Sequence, residues 1–145
     1  MRVVVQKVNH AQVTIEHQVV GQIKQGYMLL VGFAPDDEEP SLDYLVHKII
    51  NLRVFEDENG KMNLSLQDVA GAILSVSQFT LYADTKHGNR PGFSQAASPE
   101  IAEPLYQTFN QKLRDAGIHV ETGQFGADMQ IELENDGPTT IILEK

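Results

Sequence analysis

The sequence predicts a mixed fold of antiparallel strands and two main helices in one domain, and three observations predict it. The chain has 145 residues, enough for one domain that buries roughly 68–70% of its unfolded surface. Its first 34 residues carry short apolar runs and period-two alternation, the pattern of a strand meander. Two later stretches repeat apolar residues at helical spacing.

Val3-Val4-Val5 reads as a short strand, with Asn9-His10 as a turn before Ala11, Val13 and Ile15, which alternate with polar neighbours. Val19 to Ile23 continues the pattern, and Tyr27 to Ala34 is a continuous apolar run suited to a strand buried on both faces. Pro35 to Ser41 breaks it, and its acids suit the first turn of a helix. Leu42, Leu45, Val46, Ile49 and Ile50 then form one helical stripe, which leaves His47 on the surface. Arg53-Val54-Phe55 returns to strand, and Glu56 to Gly60 reads as a hairpin turn rather than a calcium loop, because the twelve-residue ligand spacing is missing. A second helix starts at Ser98-Pro99-Glu100 and runs to about Ala116, with Ala102, Leu105, Tyr106, Phe109 and Leu113 inward and a bend expected at Pro104. Ile118 to Val120, Met129 to Leu133 and Thr139 to Leu143 are the remaining strands.

Composition narrows the function classes. There is no cysteine, which removes disulfides, thiolate metal sites and a Cys nucleophile. The five histidines show no close pair at metal-binding spacing, so no metal and no cofactor are expected. No run has the length of a membrane span and the amino-terminal apolar run is short for a signal peptide, so the expectation is a cytoplasmic protein with no membrane partner. A net charge of −9 opposes nonspecific coating of nucleic acid, which depends on phosphate neutralisation. Any nucleic-acid contact has to be local.

The richest stretch is Ala72 to Asp84. It starts as a buried strand, and its alternation places Ala72, Leu74, Val76, Gln78 and Thr80 on one face, so that an amide and a hydroxyl follow three apolar residues. Gln78 and Thr80 are either strand-end residues satisfied by backbone or groups that meet a ligand. The loop that follows, Thr85 to Gly92, carries Lys86, His87 and Arg90 in an otherwise acidic chain, which suggests a ligand with anionic or phosphate groups. Ser77 and Thr80 are possible nucleophiles, yet neither has an evident base and orienting acid in the sequence. Phosphate-loop, dinucleotide and GxSxG patterns are all absent. Gly137-Pro138 is a further local anomaly in an Asn-Asp-Gly-Pro turn.

Ser77-Gln78-Phe79-Thr80-Leu81 and Asn135-Asp136-Gly137-Pro138-Thr139-Thr140 resemble the two signature motifs of the D-aminoacyl-tRNA deacylase family. The likeness extends through Arg53-Val54-Phe55, Gly60 to Leu64, Arg90-Pro91 with Phe93, Ala97-Ser98-Pro99, and Thr122-Gly123 to Asp128-Met129. One small departure is Gly92, where the family often has serine.

The resemblance implies an α/β fold of the α+β type, a single domain over residues 1–145 with antiparallel β-sheets forming a barrel-like core. It implies a homodimer with active sites at the interface, where the Ser77–Leu81 stretch of one subunit faces Gly137-Pro138 of the other across a cis bond. The implied reaction is hydrolysis of the ester in D-aminoacyl-tRNA, a proofreading step that releases D-amino acid and tRNA and rejects L-aminoacyl-tRNA at the Gly-Pro gate. The expected catalytic set is Ser77, Gln78, Phe79 and Thr80, with Gly137, Pro138, Phe125 and Arg90 binding substrate. Gln78 is assigned to the ribose or adenine, backbone N–H groups near Phe79 and Thr80 to the oxyanion, and Phe125 to stacking near the adenine. A gate that refuses side chains of one hand cannot refuse glycine, so glycyl-tRNA, including glycine mischarged on tRNA(Ala), is an expected substrate. Two alternatives are Thr80 as a covalent nucleophile and a non-catalytic homodimer that binds nucleic acid or protein.

Overall fold

In the computed structural model, which describes residues 1–145, a six-stranded mixed sheet wraps toward a barrel and carries two helices on its outer face. The strands and helices are β1 (Arg2–Ile15), β2 (Gln18–Ile23), β3 (Gly26–Gly32), α1 (Glu39–Asn51), β4 (Phe55–Glu56), β5 (Met62–Leu64), β6 (Ala72–Ser77), α2 (Pro99–Asp115), β7 (Val120–Thr122) and β8 (Gln130–Glu144). The order across the main sheet is β2-β1-β3-β6-β7, with β8 on the other edge of β1, and β4 with β5 forms a separate hairpin. The expected mixed fold with a barrel-like core and two main helices is present.

The meander is antiparallel, as its short turns require: β1 pairs antiparallel with β2, β3 and β8. In contrast, β3 with β6 and β6 with β7 are parallel, because the connection from β3 to β6 contains α1 and that from β6 to β7 contains α2. Parallel pairing places the carboxyl ends of β3 and β6 side by side.

Asn9-His10 is not the turn that its composition suggested. It lies inside β1 and is exposed, at a point where the register with β8 shifts. One extra residue there puts Val8 and Ala11 on the same face although three positions separate them. The chain instead reverses at Glu16-His17, both at positive φ.

Alternation sorts the core into two faces. Val3, Val5, Tyr27, Leu29, Val31 and Ile73 point outward and pack against the stripe of α1, whose buried residues are Leu42, Leu45, Val46, Ile49 and Ile50, as the spacing predicts. Helix α2 adds Ala102, Tyr106, Phe109 and Leu113, is continuous through Pro104, and leaves Leu105 only half-buried. Truncating the fully buried Phe109 to alanine costs about 3–5 kcal/mol. The inner face holds Val8, Val13, Met28, Leu74 and Val76, against which Leu30, Met129, Ile131 and Leu133 are only half-buried. This side is open. The acidic turn after β4 is held by Asp57, whose carboxylate accepts the Asn59 and Lys61 N–H groups at 2.8 and 3.1 Å.

Candidate active site

A cavity of about 600 Å³ opens where β3 and β6 end together. Its floor is Leu30, Val31 and Val76 from the strands, and its rim includes Ser77, Gln78 and Phe79. Carboxyl ends of neighbouring parallel strands are where open α/β sheets bind ligands. The far wall comes from Phe93, from Ala102 of α2, and from the loop Phe125 to Met129 that leads into β8.

The strand reading of this stretch holds only to Ser77. Phe79–Tyr82 is instead a single 3-10 turn, so Gln78 and Thr80 are not consecutive residues of one strand face. The Gln78 N–H donates to the Val31 carbonyl at 2.7 Å as the last rung of the parallel β3–β6 ladder, and the turn then closes from the Leu81 N–H to the Gln78 carbonyl at 3.4 Å. β3 approaches so closely that a Cβ on Gly32 would lie 2.9 Å from the Gln78 carbonyl oxygen. Arg2 secures the far end of the turn by donating to the Leu81 carbonyl and lying 4.9 Å over the Tyr82 ring.

The turn brings Gln78 and Thr80 together by another route. The Thr80 hydroxyl donates to the Gln78 side-chain oxygen at 2.6 Å. That bond fixes the amide so that its NH₂ group is the part free to bind a ligand. It also commits the hydroxyl proton to an amide oxygen, which is no base. At the start of the turn the N–H groups of Phe79 and Thr80 have no intrahelical acceptor.

Behind this wall the Ser75 carbonyl accepts the Tyr106 hydroxyl at 2.7 Å and the Gly123 N–H at 3.2 Å. Burial pushes the Tyr106 phenol above its ordinary value, and the same cause, with Asp37 adding to it, raises Tyr82 to about 12. Both phenols therefore stay neutral donors. The Tyr106 ring sits 6.1 Å from that of Phe125, which is half-buried in the cavity wall.

Arg90 lies outside the cavity lining, on an exposed excursion closed by a two-way bridge between Asp84 and Gly92 at 2.8 and 2.9 Å. Immediately after it, Phe93 meets Phe79 edge to face with centroids 4.9 Å apart.

Gly137 and Pro138 are not in the cavity lining. They top a four-residue excursion of β8, Asp136 to Thr139, that interrupts the pairing with β1 opposite Lys7. The bond between them is cis. Asn135 closes the base of the excursion by donating to the Lys7 and Thr139 carbonyls at 3.0 and 2.9 Å, and buried Lys7 reaches Asp136 at 3.0 Å. Along β1, Lys7 is five residues from Arg2, hence ~16 Å from the residue that holds Leu81. Gly137 and Pro138 are both exposed.

Comparison with known proteins spans nearly the whole chain. The D-Tyr-tRNA(Tyr) deacylase family matches residues 4–144. The chain belongs to this family. It is 79% identical, over 145 residues and 100% of each chain, to the D-aminoacyl-tRNA deacylases of Limosilactobacillus reuteri strain DSM 20016 and of Limosilactobacillus reuteri subsp. reuteri strain JCM 1112. A solved structure, the c-Myc DNA Unwinding Element Binding Protein, is 42% identical with a TM-score of 0.94, covering 100% of this chain and 99% of that one. A probable eukaryotic D-amino acid tRNA deacylase shares the fold at 20% identity, with a TM-score of 0.85 over 98% and 97% of the two chains.

Within the family frame, the cavity brings together Ser77, Gln78, Phe79 and Phe125, with Thr80 bonded to Gln78 from outside the lining. It does not bring in Arg90, Gly137 or Pro138. Sequence reasoning named Phe93 and the Thr122 to Met129 stretch only for the family likeness and Ala102 only as an inward helix residue, yet Phe93, Ala102 and Gly126 to Met129 all line the cavity. Only the position of Phe93 beside a cationic loop signalled it in advance.

Proposed function

We propose that this chain, a hydrolase of the D-aminoacyl-tRNA deacylase family, cleaves its substrate with positioned water and backbone groups rather than with a covalent nucleophile. Water adds to the ester carbonyl carbon, the bond to the ribose oxygen breaks, and the water proton passes to that oxygen, leaving a free amino acid and tRNA. An aminoacyl ester is already activated, so alignment and oxyanion stabilisation carry the rate. The N–H groups of Phe79 and Thr80 receive the developing oxyanion, Gln78 donates to the ribose or adenine, and Phe125 stacks near the adenine. Ser77 lines the rim of this site, and Arg90 meets the phosphate-bearing part of the substrate. The observation that carries the reading is the 2.6 Å bond from the Thr80 hydroxyl to the Gln78 amide oxygen, which makes Thr80 a positioning residue.

The gate is supplied by a second copy of the chain. Gly137 and Pro138 stand exposed outside the lining of their own chain's cavity, on an excursion opposite Lys7, five residues along β1 from Arg2. Strand β8 supports a homodimer: it pairs along one edge only, none of its 15 residues is buried, and Ile142 is 62% exposed. In the assembled site the Gly137 and Pro138 carbonyls hold the substrate's α-amino group, and their main chain occupies the space that an L side chain needs. Glycine has no side chain to refuse, so glycyl-tRNA, including glycine on tRNA(Ala), is cleaved as well.

The test is incubation of the purified protein with D-tyrosyl-tRNA and L-tyrosyl-tRNA in the presence of a chelator. Loss of the D ester alone is the expected result, whereas equal loss of both contradicts the gate. Survival of both esters favours a non-catalytic nucleic-acid-binding dimer, a reading that the name of the 42% identical solved structure suggests and the net charge of −9 opposes.

A further inference from the structure

Beyond the Arg90 contact proposed above, the loop between Asp84 and Phe93 is closed at its base and presents further charge. Its ends are joined by the paired Asp84 and Gly92 backbone bonds, and the Asp84 carboxylate accepts the Lys86 N–H at 2.9 Å. The one acid at the loop is therefore occupied by backbone. No other Asp or Glu occurs before Glu100. Lys86, His87 and Arg90 are exposed, and none takes part in any of the chain's ion pairs, although acids outnumber Lys and Arg 20 to 11.

At the foot of this loop stand two aromatic rings that are left partly open. Phe79 is 53% and Phe93 37% exposed, packed edge to face on the rim of the cavity. Their edge-to-face packing leaves ring surface toward solvent on the rim of the cavity. Aromatic faces beside a cationic track are a usual means of holding single-stranded nucleic acid without sequence preference.

We infer that the Asp84–Phe93 loop, with Phe79, is a cradle for the unpaired nucleotides that precede the terminal adenosine of the aminoacyl-tRNA. A base packs on Phe93, and Lys86 and Arg90 meet the phosphates on either side of it. This deepens the substrate reading above and rests on it. It also answers how so acidic a chain holds RNA: binding is confined to one loop whose single acid, Asp84, stands at its base. Because Phe93 touches Phe79, an occupied cradle also steadies the turn that carries the oxyanion donors.

The experiment compares two substrates that carry the same ester, D-tyrosyl-tRNA and D-tyrosyl-adenosine, which lacks the preceding nucleotides. For Lys86→Ala/Arg90→Ala and separately for Phe93→Leu, the ratio of kcat/KM on the tRNA to kcat/KM on the adenosine ester should fall on the order of tenfold. For the double variant, the dependence of log kcat/KM on log salt with the tRNA should become shallower by about 0.7 for each phosphate that the variant no longer neutralises. The exposed Lys86 and Arg90 can be replaced without threat to folding, so the double variant stands as a test even if Phe93→Leu disturbs the turn. An unchanged ratio, or equal losses on both substrates, overturns the cradle. A wild-type protein that cleaves neither ester overturns the substrate reading instead.

Discussion

Two stretches of this chain abandon strand geometry, and they do so to different ends. At Ser77 the backbone coils into a 3-10 turn whose neighbours all belong to the same chain: Val31 ties its start, Arg2 its end, and the cavity lies beside it. At Asp136 the backbone swings out of β8 and is clamped at its base by Asn135, while its tip stands exposed. One stretch borders a cavity and the other ends in an exposed tip. The contrast underlies the proposed dimer, in which each copy would complete the other's site.

The largest effects should come from breaking either half. Gly137 has φ of +116°, and an added Cβ would lie 2.6 Å from the Thr139 hydroxyl oxygen and 2.9 Å from its nitrogen. Gly137→Ala should therefore lower kcat/KM on D-tyrosyl-tRNA about 10²-fold with the circular dichroism of the fold retained. Gln78→Ala should lose a similar factor, about 10²-fold, as expected for one polar group at the reacting centre.

A smaller effect sharpens the comparison from the β8 side. Ile142→Asp changes a residue that is 62% exposed, so in a single chain its stability cost stays within about 0.5 kcal/mol. If β8 is covered by a second copy, the variant should sediment as a monomer and lose about tenfold or more in activity. A variant of unchanged mass and activity would detach β8 from the account.

Thr80→Ala should cost only a few-fold, less than about tenfold, in single-turnover rate, because the hydroxyl orients Gln78. Loss of a covalent nucleophile would instead cost about 10⁴-fold or more. The smallest effect concerns stability far from either motif. The Ser65 N–H and hydroxyl, both at 2.8 Å, hold the Asp68 carboxyl below its ordinary value. Its contribution is thus present above the ordinary carboxylate value and is lost as pH falls through the lowered folded value. Urea unfolding should separate Asp68→Ala slightly from the wild type at about pH 7 and bring the two together at about pH 2.

The parts of this molecule that were legible in advance are those with a long period. Five residues of α1 at i, i+3, i+4, i+7 and i+8 are all buried, because a helical stripe leaves a mark that several positions share. The turn at Phe79–Tyr82 carries no such mark. It is four residues long and its residues alternate as a strand would, while the β3 partner that stops pairing at Val31 is remote in sequence. Asn9-His10 misled for the same reason: turn-forming residues are also tolerated at a bulge, and the partner strand β8 decides between the two. Parallel pairing of β3 with β6 was equally invisible, since alternation says nothing of strand direction. The motif residues Ser77 to Thr80 were read directly, whereas Ala102 and Gly126 reach the cavity from elements that a linear reading keeps apart.

The shared site is tested most directly by mixing subunits. Gln78→Ala and Gly137→Ala chains, each nearly inactive alone, would be unfolded together, refolded and assayed on D-tyrosyl-tRNA. If Gln78 of one copy works with Gly137 of the other, each mixed dimer holds one intact site, and about a quarter of the wild-type activity should return on equal mixing. A mixture no more active than its two parents would mean that both residues serve the same chain, and the account of a gate lent by a neighbour would be wrong.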